Sequence, residues 1–305
     1  MDRRIKDEFM KYSIYKILAI LSVAAGLVSC HKVRDYDYSR WYADPEGSNE
    51  GRPLNVMSFN WRTETSNDPG ETSWESRRPA VAAMLKAKNP VLMGCQECQP
   101  NQRNQILSDD PRYRTFGDNL GYSNDETECD VVFYMKDSLD VLAHGTFFLT
   151  DTPDVYSRLN QSNHYRVCTW GRIKMKADGK EFYYFNTHID YLTDAQQPEM
   201  DAILNMIKVI NTDNLPMFVT ADWNAEESSE IFNDFKNYGF KSARLNAVIG
   251  DSYKTFNGFG SGSQTLDHCW YKGFSGVSRF TTVRDRYAGI TYISDHYPIN
   301  IILKF

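Results

Sequence analysis

The sequence predicts an α/β protein, with helices and mixed sheets in one domain over residues 54–305. Three observations lead there. Short apolar runs alternate with longer segments whose apolar residues recur at helical spacing. Several extended runs lie close together across turn formers, as hairpins do, so the sheets are not purely parallel. The chain of 305 residues is 41% hydrophobic, enough for a large core and too apolar for a disordered chain.

The elements follow in order. "LNVMSFNW" from Leu54 reads as a strand, and "SWESRRPAVAAMLKAK" reads as a helix capped by Ser73. "PVLMGCQE" is a nearly continuous apolar run, hence a buried strand. "CDVVFYMK" and "VLAHGTFFL" resemble a hairpin. "VCTWGRIKMKADGKEFYYFNTHI" reads as two strands around the turn "ADGK". "DAQQPEMDAILNMIKVIN" is helical with Pro198 in its early turns, and "PMFVTADWN" is another apolar strand. "SSEIFNDFKNYGF" reads as a helix stopped by Gly239. "QTLDHCWYKG" and "TYISDHYPINIILKF" are late strands, the last opening on Ser294, Asp295 and His296.

The first 29 residues stand outside this domain. Five Lys/Arg precede or flank the apolar run "ILAILSVAAGLVS", which is too short to span a bilayer comfortably and ends at Cys30. The pattern resembles a bacterial lipoprotein signal, with Cys30 as the lipidated first residue and residues 30–53 as a tether. The chain is therefore expected to be exported and lipid-anchored at the outer membrane or cell surface, as a monomer that meets the membrane only through the anchor. Without residues 1–29 the chain carries 29 basic and 37 acidic residues, a net charge of −8. It has no basic run, which argues against a protein that grips long nucleic acid over many phosphates. Five cysteines remain after Cys30, an odd number at irregular spacings, so they read as small buried thiols and not as a disulfide scaffold. Cys95 and Cys98 form a C-x-x-C with no second pair at zinc-ribbon spacing.

Polar residues recur where apolar strands end. The first strand ends in Asn60, with Arg62 beyond; the next ends in Glu97. Asn186, His188 and Asp190 close "YYFNTHID", Asp222 and Asn224 close "TADWN", and Asp267 lies in "TLDHCW". A buried strand end holds such groups only if they pair with each other or with a metal. Ligand sites in α/β folds form where strand ends converge. The inventory is mostly hard oxygen donors plus two histidines. It suits Mg²⁺ or Mn²⁺ and proton transfer near neutral pH, together a set for hydrolysis at phosphorus.

The motifs "VMSFN", "GCQE", "NTHID", "TADWN", "TLDHCW" and "SDHYP", in this order, resemble those of the endonuclease/exonuclease/phosphatase superfamily over residues 54–305. The resemblance implies a four-layer α/β sandwich, two mixed β-sheets face to face with flanking helices, and an active site at one rim. It implies that Glu97 is the main Mg²⁺ ligand, helped by Asn60 and by Asp295 through water. It pairs His188 with His296, has Asp295 or Asp267 orient His296, has Asp222 position or deprotonate water, and has Asn224 bond the phosphate. Arg62 stands where apurinic endonucleases carry Asp, and "NAEESSE" lacks the basic residues of inositol phosphatases. The implied activity is a Mg²⁺-dependent phosphoesterase at the cell envelope, acting on a phosphodiester. Candidate substrates are nucleic acid, a phospholipid head group or a phosphorylated sugar. A sphingomyelinase-like lipid phosphodiesterase and a non-catalytic surface binding protein are the alternatives. The lipid reading needs an exposed apolar loop, for which "FNGFGSGSQ" is the nearest candidate. Asp190 reads as a hydrogen-bonding residue at a helix start, and His144, His164 and His268 read as structural. Arg166 fits either a strand surface or a position facing the site.

Overall fold

The computed structural model describes residues 53–117 and 130–305. The expected signal over residues 1–29, the Cys30 lipidation site, the tether up to residue 52 and Cys129 lie outside the described residues. The strands, in chain order, are β1 (Pro53–Asn60), β2 (Leu92–Gln96), β3 (Tyr113–Phe116), β4 (Val132–Met135), β5 (Leu139–Phe148), β6 (Val167–Met175), β7 (Glu181–His188), β8 (Met217–Asp222), β9 (Lys241–Ser242), β10 (Ala247–Ile249), β11 (Asp267–Lys272), β12 (Gly276–Thr282) and β13 (Ile299–Lys304). The helices are α1 (Trp74–Lys88), α2 (Pro100–Asp109), α3 (Thr193–Ile210) and the single turn α4 (Asn233–Asn237).

The strands form two sheets, ordered β10-β12-β13-β1-β2-β4-β3 and β5-β6-β7-β8-β11-β9. Each is mixed: β1 pairs parallel with β2 and antiparallel with β13, and β8 pairs parallel with β7 and antiparallel with β11. The α/β sandwich expected from the sequence is what forms. Its two sheets touch at a seam where β2 crosses β7. There Asn186 Nδ2 donates to the Cys95 carbonyl at 3.0 Å, and Gln96 Nε2 donates to Asn186 Oδ1 at 2.8 Å. Gly94 permits this approach, because a Cβ on it would sit 2.1 Å from both Asn186 Oδ1 and the Tyr184 hydroxyl.

Periodicity decides which faces are dry. On α3, Met200, Ile203, Leu204 and Ile207 recur every three or four residues. They cover Tyr183, Phe185, Val219 and Ala221, the alternate residues of β7 and β8 that point away from the seam. Each such burial stabilises by about 1.5–3 kcal/mol. The remaining faces of β7 and β8 look toward the other sheet. Helix α1 starts as expected, with Ser73 Oγ accepting from the Ser76 amide.

Three expectations are corrected. β4 and β5 are not a hairpin: β4 is already flanked by β2 and β3, so it has no free edge, and the turn at 136–138 carries the chain into the other sheet. The segment 228–240 is a 3-10 turn (Glu230–Phe232) followed by α4 and not one helix; Gly239, at φ +98°, closes it. The last strand begins at Ile299, because 294–297 pairs instead with a loop. The Asp295 carbonyl accepts from the Asn257 and Gly258 amides, and the Tyr297 amide donates to the Thr255 carbonyl. Helix α2 and strands β3, β9, β10 and β12 carry too little periodic signal to be read from the sequence. Cys95, Cys98, Cys168 and Cys269 are buried, as expected.

Candidate active site

Strand register builds the first part of the site. His188 lies beside Asp222 on parallel β7 and β8, and Asp222 lies opposite Asp267 on antiparallel β8 and β11. Three adjacent strands thus present His188, Asp222 and Asp267 in one row. The loop before β13 brings His296 to the same row: its Nδ1 is 2.8 Å from Asp267 Oδ2, and its Nε2 is 3.5 Å from Asp222 Oδ2. The same Asp222 oxygen is 3.5 Å from His188 Nε2. One carboxylate oxygen therefore sits between the two imidazoles.

The other sheet contributes across the seam. Asn60, the last residue of β1, donates through Nδ2 to Asp222 Oδ2 at 2.9 Å and to Glu97 Oε1 at 3.0 Å. Its Oδ1 accepts from the Arg62 amide at 2.9 Å, so the amide nitrogen and not the oxygen faces the two carboxylates. Glu97 Oε2 accepts from the Thr63 amide at 3.0 Å. Asp295 lies 9% exposed beside Glu97, with Arg62 Nε 3.8 Å from its Oδ2. Ser294 holds this loop to β1, its Oγ donating to the Asn60 carbonyl at 2.7 Å. The three polar residues before the last strand thus each take a separate partner in the site. Arg62, Glu97 and Asn224 have φ of 55°, 55° and 45°, a left-handed backbone that disfavours side chains and that concentrates at functional sites.

The two histidines carry different charges. His188 Nε2 faces the Asn224 amide nitrogen at 3.0 Å, and that nitrogen also donates to the Ile189 carbonyl at 2.9 Å. Nε2 is thus an acceptor, which leaves the proton on Nδ1, a buried atom with no partner among the described residues. Burial, reinforced by the Arg166 charge, pushes His188 well below the usual histidine range, so it is neutral. For His296 burial also opposes the charge, but Asp267 and Asp222 outweigh it and hold the imidazolium well above that range. The direct bond to Asp267 is what His188 lacks. Burial raises Asp222 to about 6, with His296 pulling the other way.

Every site residue expected from the sequence except Cys30 is described. Glu97, Asn60, Asp222, His188 and His296 form one connected chain of contacts, with Asp267 behind His296 and Asn224 behind His188. Of the two carboxylates the sequence left open, Asp267 is the one hydrogen-bonded to His296, while the charges of both favour its imidazolium. Asp190 accepts from the Leu192 amide at 2.9 Å, ahead of α3, as expected. In "FNGFGSGSQ" both aromatic residues are half-buried, Phe256 lying 5.0 Å from the His296 ring, and Asn257 Nδ2 donates to the Ser294 carbonyl at 3.1 Å; its exposed residues are Gly260, Ser261, Ser263 and Gln264. Sequence reasoning missed Arg77 on α1. Its guanidinium is fully buried and donates to the carbonyls of Trp61, Arg62, Thr72 and Ile293, fastening the loops that carry the site. Nothing in its helical context distinguishes it from the half-buried Arg78, which pairs with Asp109.

A sandwich of two mixed sheets that gathers carboxylates, amides and two imidazoles at one rim is an arrangement suited to hydrolysis of phosphoric esters. The chain belongs to the Endonuclease/Exonuclease/phosphatase family, whose model matches residues 54–296. Family members are phosphoesterases and generally depend on a divalent metal. Among solved structures, a family protein from Bacteroides thetaiotaomicron is 26% identical, with TM-score 0.76, covering 84% of this chain and 99% of its own. The mannosyl-6-phosphatase Bt3783 of the same organism is 27% identical, with TM-score 0.76, covering 83% of this chain and 100% of its own. The human Nocturnin catalytic domain, 20% identical with TM-score 0.66 and covering 82% of this chain and 93% of its own, shares the fold. Comparison with curated proteins gives no match.

Proposed function

We propose that the chain hydrolyses a small, exposed phosphate ester with the aid of Mg²⁺ or Mn²⁺ held by Glu97 and Asp295. The observation that carries this reading is the single Asp222 oxygen 3.5 Å from both His188 Nε2 and His296 Nε2, tied through Asn60 to Glu97. The residues fit a divalent cation. Burial raises Asp295, and the Glu97 charge adds to that rise, so the two carboxylates lie near enough to repel each other. Arg62 is committed to Asp68 at 2.8 and 3.2 Å. Hard oxygen donors suit Mg²⁺ or Mn²⁺. Asp222, Asp267 and His296 also offer donor atoms within 4.8 Å of one another, but there the charged His296 already supplies the cation. Asn60 fixes Glu97 against Asp222.

The cation would supply Lewis-acid neutralisation of phosphoryl charge. Asp222 accepts the proton of the attacking water. His296, kept charged by Asp267, donates to the phosphoryl oxygens or to the leaving group. His188 is neutral and offers its Nδ1 hydrogen to a phosphoryl oxygen, held in that tautomer by Asn224. Likeness to a mannosyl-6-phosphatase supports a phosphorylated sugar as substrate. The phosphodiester expected from the sequence is the competing substrate. Export, with lipidation at Cys30 and residence of a monomer at the envelope, is part of the same proposal and rests on the signal pattern; intact-mass analysis of the envelope-extracted protein checks it.

The decisive experiment is an ester panel with Mg²⁺ and with chelator: mannose 6-phosphate, 4-nitrophenyl phosphate, its bis-ester, DNA, RNA and sphingomyelin. Chelator, His188→Ala and His296→Ala are each expected to abolish turnover. Hydrolysis that survives both substitutions discards the mechanism. Metal binding with no turnover of any ester favours a binding scaffold.

A further inference from the structure

Arg166 immediately precedes β6 and is 8% exposed, so it is not the strand-surface arginine that its sequence context allows. Register places its backbone next to the end of the strand that carries His188. Cys168 pairs with Thr187, and Thr187 Oγ1 donates to the Val167 carbonyl at 2.6 Å, which sets residues 166 and 167 beside the end of β7 that carries His188. Among the described residues its guanidinium makes no hydrogen bond or ion pair, and its Nε is buried without a partner.

Burying an unpaired guanidinium costs several kcal/mol. The other two arginines of the site are engaged, Arg62 by Asp68 and Arg77 by four backbone carbonyls. Arg166 is near enough to His188 for its charge to depress that ring. Arg166 Nε and His188 Nδ1 are therefore two unpartnered buried donors at one rim. Glu199, a buried acid close enough for the Arg166 charge to act on it, has its Oε2 accepting from the Asp190 amide at 2.7 Å. Burial raises Glu199 to about 8, which weakens it as a counter-charge to Arg166 near neutral pH.

We propose that Arg166 is the phosphate clamp of this site and that it selects a phosphomonoester dianion over a phosphodiester. This rests on the phosphoesterase reading above. A monoester carries up to two charges near neutral pH and three terminal oxygens, one charge and one oxygen more than a diester. A guanidinium fork binds such an oxyanion with charge-assisted, bidentate hydrogen bonds. His188 Nδ1 would donate to the same group, and His296 would serve the other side. With a diester the fork would lose its second oxygen and much of its attraction.

The test compares wild type, Arg166→Lys, Arg166→Met and Arg166→Met/Glu199→Gln on 4-nitrophenyl phosphate and bis(4-nitrophenyl) phosphate, with calorimetric titration of inorganic phosphate. Arg166→Met is expected to lower kcat/KM for the monoester by about 100-fold while the diester loses less than about tenfold, and to weaken phosphate binding at least about tenfold. Arg166→Lys keeps the charge and is expected to fall between. If Arg166→Met fails to fold, the double variant, which removes the buried acid as well, takes its place; it is expected to fold and to show the same selective loss. Equal loss on both esters, or unchanged phosphate binding in a folded variant, overturns the proposal. If wild type turns over neither ester, the phosphoesterase reading fails, and the phosphate titration still decides whether Arg166 binds the anion.

Discussion

On the proposed mechanism Asp222 and His296 set the working pH of the site, because each must hold one protonation state. Asp222 accepts a proton only when ionised, and burial raises it to about 6. Turnover is therefore expected to fall as pH drops through about 6, one limb of a bell-shaped profile that belongs to the coupled Asp222–His296 pair. His296 must be charged, so the other limb appears as pH rises through its raised value. Asp267→Asn keeps the shape of the 2.8 Å contact but removes the charge that holds that proton. It is expected to move the basic limb to lower pH and to cut kcat by about 10²–10⁴-fold. A pH–rate profile of the variant, beside an NMR titration of His296, checks both; an unmoved basic limb excludes Asp267 as the group that holds the charge. At this scale the sequence was legible in part. Glu97, His188, Asp222 and His296 each close an apolar run or open one, which marks them as polar groups in a dry place. Their orientation was not legible. Which nitrogen of His188 carries the proton depends on Asn224 folding back to the Ile189 carbonyl, and no spacing encodes that turn.

Helix α3 carries an acid whose ionised form its packing disfavours. Glu199 is 1% exposed on the face that otherwise buries Met200 and Ile203. Its value is raised by burial from 4.5 to about 8. For a group raised on folding, the linked stability is fully present below the unfolded value and is lost as pH rises through the folded one. The wild-type protein is thus expected to lose a few kcal/mol between pH 5 and pH 9 from this residue alone. Glu199→Gln can still accept from the Asp190 amide, so it is expected to flatten that dependence and to be the more stable protein at pH 9. Urea unfolding at pH 5 and pH 9 measures it, and parallel slopes for the two proteins would refute it. Elements as long as α3 were legible because their apolar residues repeat over several turns. β4 and β5 were misjudged for the opposite reason. Two short alternating runs across a three-residue turn look like a hairpin, and only the flanking of β4 by β2 and β3 shows that β5 must pair elsewhere. β9 and β10 have two and three residues, too short for any period to register.

The molecule works as two sheets clamped at a seam, and the site is the end of that seam. Gly94 is where the clamp is tightest. Gly94→Ala would place a methyl 2.1 Å from Asn186 Oδ1 and the Tyr184 hydroxyl, so the sheets must separate. A loss of about 3 kcal/mol and a lower Tm are expected, read by urea unfolding and calorimetry. The seam was not legible beforehand, since one glycine in an apolar run reads equally as a bulge or a weak strand position. The same architecture gives the divalent cation a structural consequence. Glu97 follows β2 and Asp295 precedes β13, the two strands that flank β1, and Asn60 at the end of β1 bonds both Glu97 and Asp222 of the opposite sheet. A cation taken by Glu97 and Asp295 binds only the folded chain and relieves the repulsion between them, so it stabilises by mass action. At about 100 times its dissociation constant, Mg²⁺ is expected to add about 2.7 kcal/mol and raise Tm by a few degrees. Glu97→Gln can keep the hydrogen bond from Asn60 Nδ2 but gives up the one from the Thr63 amide and loses the charge, and is expected to abolish the Mg²⁺-dependent shift measured against its own metal-free Tm. Scanning calorimetry with and without Mg²⁺ decides the matter apart from any assay of turnover. A Mg²⁺ shift that persists in Glu97→Gln and disappears in Asp267→Asn would move the cation to the buried Asp222, Asp267 and His296 group.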